Sequence, residues 1–143
     1  MMNRTPLRIC SLRSCLLPSL VLAMVAGCSS ESRFLLDSDV PAPADALARA
    51  TSDVERKSGE LVRVKSVFAT KVDDPSRRLG TIETAFISSG WASAGITATG
   101  STAVCFFTKS GRRCQVRVVR NELDPAMSRI SYHLVPSDAA TDG

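Results

Sequence analysis

Few residues in this chain are equipped for chemistry, and their spacing narrows the choice further. His133 is the only histidine among 143 residues, so one chain can assemble neither a histidine metal cluster nor a pair of histidine acid/base groups. Asp73 and Asp74 are adjacent acids, but they precede Pro75, where a carboxylate caps a helix and a proline opens one. Ser88 and Ser89 lack the strand-to-helix elbow that exposes a hydrolase serine, and no glycine-rich phosphate loop is present. No catalytic residue, metal or cofactor is expected, so the chain reads as a non-enzyme. What remains is the chemistry of five cysteines and a run of five bases, Lys109, Arg112, Arg113, Arg117 and Arg120, with no acid between them.

The cysteines divide by position. Arg4, Arg8 and Arg13 open the chain without an acid, Leu16 to Ala26 is apolar apart from Pro18 and Ser19, and small residues precede Cys28. That is the layout of a secretory signal over residues 1–27, too short and interrupted for a comfortable permanent span. Val25-Ala26-Gly27-Cys28 resembles the lipobox of bacterial lipoproteins. The resemblance implies a diacylglycerol thioether on Cys28, cleavage before it, and acylation of the new amino terminus by a palmitate-type chain. It places the protein in the cell envelope, anchored to a membrane. Ser29 follows the cysteine where inner-membrane retention in enteric bacteria is associated with aspartate, so in a Gram-negative cell the outer membrane, facing the periplasm, is favoured.

Cleavage there removes Cys10 and Cys15 and leaves Cys105 and Cys114 in an oxidising compartment, where one disulfide is the economical reading and buried thiols the alternative. So short a loop would contribute roughly 2.5 kcal/mol. A two-residue turn at Ser110-Gly111 sets the two sulfurs on one face along a diagonal; a bulge at Gly111 sends them to opposite faces, where no bond can form. Charge is also redistributed. The whole chain has an isoelectric point near 9.0, but the leader holds three of the 18 bases and none of the 14 acids. Fifteen bases then face 14 acids, and nothing argues for nucleic acid.

The elements follow from local pattern. Residues 28–44, with their serines, acids and spaced prolines, read as a lipidated cysteine and flexible tether, except that Phe34-Leu35-Leu36 must rest on the membrane interface or on the domain. Residues 45–136 read as one small domain and 137–143 as a frayed polar tail. Leu61 to Thr70 alternates Val62, Val64 and Phe68 with Arg63, Lys65 and Val67, and pairs through turn residues 57–60 with a weaker strand near 47–56. Leu79, Ile82 and Phe86 follow the Asp73-Asp74-Pro75 cap at helical spacing, and Gly90-Trp91 fits a Schellman ending. A short strand near Ile96, two strong strands flanking Lys109 to Arg112, and a last strand with Ile130, Tyr132 and Leu134 complete the domain.

The order expected is β-β-α-β-β-β: a two-layer α+β domain with a mainly antiparallel sheet of five or six strands and one helix on one face. Its weak motifs resemble a loose class of small envelope lipoproteins, which implies a fold and no activity. Arg63, Lys65, Arg113, Gln115 and Arg117 should project from the sheet face away from the helix, with Lys109, Arg112 and Arg120 near the strand ends. Val104 and Phe106 join that face if the turn has two residues. The face is the candidate contact surface for an anionic lipid or an envelope protein. A module for a soluble ligand, including an inhibitor of the lysozyme-inhibitor type, is the alternative.

Overall fold

A computed structural model describes residues 34–45, 48–71 and 74–138. The expected lipobox Val25-Ala26-Gly27-Cys28, Cys10, Cys15, Asp73 and residues 139–143 of the tail lie outside the described residues.

The structure is α+β: an antiparallel sheet of six strands and one α-helix. β1 (Ala48–Lys57) and β2 (Glu60–Lys71) form a hairpin, α1 (Pro75–Ser88) follows, and β3 (Ala92–Thr99), β4 (Thr102–Lys109), β5 (Arg112–Arg120) and β6 (Met127–Pro136) form a meander. The spatial order is β1-β2-β6-β5-β4-β3, so β6 closes against β2 and α1 carries the chain across the sheet to its far edge. The six strands are the larger of the five or six expected, one more than the order β-β-α-β-β-β holds, because the segment around Ile96 forms a full edge strand, paired to β4 from Ala92 to Thr99.

Helix α1 owes its limits to its ends. The Asp74 carboxylate accepts hydrogen bonds from the Ser76 and Arg77 amides (2.9 and 3.1 Å), satisfying donors that the first turn leaves open. At the other end Gly90 takes φ +81, its amide donates to Ile87 O and the Trp91 amide to Phe86 O (2.9 and 3.0 Å), which is the Schellman pattern. The Trp91 and Phe86 rings meet edge-on at 5.5 Å, and Phe86 also stacks on Phe107 of β4 at 4.0 Å. Leu79, Ile82 and Phe86 thereby fix α1 against β3, β4 and β5.

Two corrections concern the core. Of the residues expected there, all but Val62 are buried. Glu55 pairs with Arg63 and Arg56 with Leu61, so Val62 is an inserted bulge residue. A single insertion reverses the phase of a strand, and Leu61 points inward in place of Val62. The second correction concerns the tether, whose described part, residues 34–44, packs on the domain. Leu35 and Val40 are fully buried, Phe34 bridges Pro41, and the Leu35 amide donates to Val40 O at 2.7 Å. This strap continues through Asp45, which binds Thr70 of β2 and Arg78 of α1, while Arg56 of β1 donates to Leu36 O. It closes the core beside the helix. Spaced prolines suited this path as well as they suit a coil, and the burial of Leu35 and Val40 decides between the two.

Candidate functional site

Strand phase sorts the basic side chains into two groups. β4 and β5 are joined by the two-residue turn Ser110-Gly111, both at positive φ (50 and 70), as a type I′ turn requires. The resulting register sets Cys105 opposite Val116 and Cys114 opposite Phe107, and points Arg113, Gln115 and Arg117 away from the helix. On that open face Lys65, His133, Gln115 and Phe106 form one row across the sheet, and Val67, Ser131, Arg117 and Val104 the next. Val104 and Phe106 are half-buried there.

The basic residues on the face are not equivalent. Arg63 reaches Glu55 at 3.3 Å and Lys65 reaches Asp53 at 2.8 Å, both acids supplied by β1. The hydrogen bond and charge of Lys65 hold the Asp53 carboxyl below its usual value. Arg113 lies over the Phe106 ring at 4.2 Å, a cation–π contact. Arg117 is exposed, and neither it nor Arg113 makes an ion pair among the described residues. Partial burial first, then Lys65 and Arg63, lower the proton affinity of His133, so the face carries arginine and lysine charge around a neutral imidazole near pH 7. Arg129, exposed on the same face through its pairing with Ala69 and Val119, escaped the sequence reading. The phase of Ile130, Tyr132 and Leu134, which places residue 129 with His133, was the signal for it.

Arg112 and Lys109 belong elsewhere. Arg112 lies on the core side, its side chain 3% exposed, and grips Asp39 of the strap with both terminal nitrogens (3.0 and 2.9 Å). It also binds Glu60 at 2.8 Å and Leu61 O at 3.0 Å, and sits over the Trp91 ring at 5.0 Å. Lys109 adds a 2.8 Å contact to Asp39, and the Trp91 indole donates to Asp39 O at 3.0 Å. Burial pushes the Asp39 carboxyl up, but the hydrogen bonds and charges of Arg112 and Lys109 outweigh it and leave its pKa lowered. Two of the five clustered bases are thus structural. No sequence spacing linked Asp39 to residues 70 positions away.

The expected Cys105–Cys114 bond is replaced by two buried thiols. Each sulfur faces an apolar residue of the opposite strand, so the pair lies on the diagonal, where Cβ atoms are farther apart than a disulfide allows. Burial raises both pKa values, keeping the thiols protonated and unreactive. No group of three or more metal-ligating side chains occurs among the described residues, and none of their helices is long and apolar enough to cross a membrane.

A groove of about 570 Å³ opens at the sheet end opposite the Asp39 clamp, lined by β2, the end of β5, the connection after it and the start of β6. Among known proteins, no family model matches the chain, and neither a curated protein nor a solved structure proves similar to it.

Proposed function

We propose that this chain is a non-enzymatic, lipid-anchored module of the cell envelope, held at a membrane through Cys28. In this reading one helix layer backs the sheet, and the opposite face meets an anionic envelope surface, lipid or protein. The observation that carries the proposal is the pair Arg113 and Arg117, set beside half-buried Val104 and Phe106 and without an ion pair among the described residues. Guanidinium groups next to apolar side chains suit a surface that offers phosphate or carboxylate above a partly apolar layer. The lipobox supports the anchor. Arg63 and Lys65 contribute less than the sequence suggested, because β1 supplies their counter-charges.

Two measurements test this. Fatty-acid labelling in cells should mark the wild-type chain and not Cys28→Ser; equal labelling and membrane retention of the variant would remove the anchor. The full chain should sediment with phosphatidylglycerol vesicles in preference to phosphatidylcholine vesicles, and Arg113→Glu with Arg117→Glu should weaken that preference at least about tenfold, each basic residue near such a surface being worth about 1 kcal/mol. A preference untouched by both reversals would exclude the face.

A further inference from the structure

The groove at the end of the sheet has the character of a ligand site. Five large apolar side chains are exposed among the described residues, and two of them, Val67 (39%) and Leu123 (96%), line this one groove. Val119 and Met127 extend the apolar lining, and Arg120 and Arg129 border it with Glu122 as the only carboxylate. Arg129 is exposed and makes no ion pair among the described residues. An apolar channel with one positive border is complementary to a chain with one negative end. Its volume is that of a small-molecule site.

The strands beneath the groove decide what kind of chain. β2 is hydrogen-bonded to both β1 and β6, β6 to both β2 and β5, and β5 to both β4 and β6. An extended peptide laid there finds no free strand edge for its own amides and carbonyls, whose desolvation would go uncompensated. An aliphatic chain has no such requirement. We infer that the groove binds a single-chain fatty carboxylate, its hydrocarbon along Val67, Val119 and Met127 against Leu123 and its head group on Arg129. The groove adjoins the open face, since Val67, Val119 and Arg129 project from it, but its lining includes neither Arg113 nor Arg117, and it does not depend on the anchor.

The test is a titration of the full chain with dodecanoate below its micellar concentration, followed by calorimetry and by methyl NMR signals. Saturation at one equivalent is expected, with shifts at Val67, Val119, Met127 and Leu123. Dodecyltrimethylammonium, of equal length and opposite charge, should bind at least about tenfold more weakly, as should dodecanoate to Arg129→Glu, which removes the charge-assisted contact to the head group. Leu123→Ser should weaken binding of either amphiphile; both substituted positions are exposed, and an unchanged Tm verifies that the variants fold. Absence of saturation, equal affinity for the cationic amphiphile, indifference to Arg129→Glu, or tighter binding of an acetyl-Gly-Gly-Leu peptide would each overturn the assignment. Arg113→Glu, farther along β5 from the lining than Arg117, leaves the groove and its border intact, so dodecanoate binding that persists in that variant while its vesicle preference falls distinguishes the groove from the Arg113 contact.

Discussion

The Asp39 carboxylate lies between two cations, one of them nearly sealed from water, and this sets what its loss would do. In Asp39→Asn, Arg112 keeps Glu60 and Leu61 O but loses its bidentate partner. Breaking a fully buried pair costs about 3–5 kcal/mol, but the Asp39 side chain is 35% exposed, so roughly 2 kcal/mol of stability should be lost, measurable by urea unfolding. The sign with pH follows from the lowered pKa. The unfolded carboxyl, near 3.9, takes up its proton before the folded one, so the stabilisation is present above that value and disappears as pH falls through the folded pKa. The asparagine variant should lack this component of acid destabilisation. The thiols give a second test at this scale: Cys105 and Cys114 should resist alkylation in the native protein and both react once it is denatured. A mass two hydrogens lighter under non-reducing conditions, regained on adding a reductant, would restore the disulfide.

For the helix, the structure separates two glycines that look alike in the sequence. Gly80 has an ordinary backbone, and a methyl group there would meet nothing within 4 Å, so Gly80→Ala should stabilise by about 0.5–1 kcal/mol. Gly90 sits at φ +81, and Gly90→Ala should cost about 1–2 kcal/mol. Thermal unfolding of the two variants should therefore shift Tm in opposite directions. Both ends of α1 were legible because capping is local: Asp74, Pro75, Gly90 and Trp91 act on neighbours within a few residues. The β4–β5 register was half legible, since Ser110-Gly111 allowed two turns. The bulge at Val62 was hidden, because Leu61-Val62 presents two apolar residues and only the pairing with β1 shows which turns inward.

Across the whole molecule, what the sequence concealed is what joins distant segments. Arg113 and Arg117 were placed by strand alternation alone, but Arg112, next to them, was assigned to the strand ends of the same basic surface until Asp39 and Glu60 showed the opposite side to be its home. The strap was concealed for the same reason: the acids and spaced prolines of residues 34–45 are as common in a coil and say nothing of the core that Leu35 and Val40 complete. Its position also determines how the protein answers force. The strap precedes β1 in the chain, so tension applied upstream of Phe34 meets the Phe34–Pro41 bridge, the Arg56 contact to Leu36 and the Asp39 clamp ahead of the β-ladders. These contacts lie in series along the strap and outside the β-ladders. Once released, twelve residues pulled straight add up to about 40 Å of reach. The strap is placed to act as a mechanical fuse: under force it should yield first and lengthen the connection while the sheet behind it stays paired.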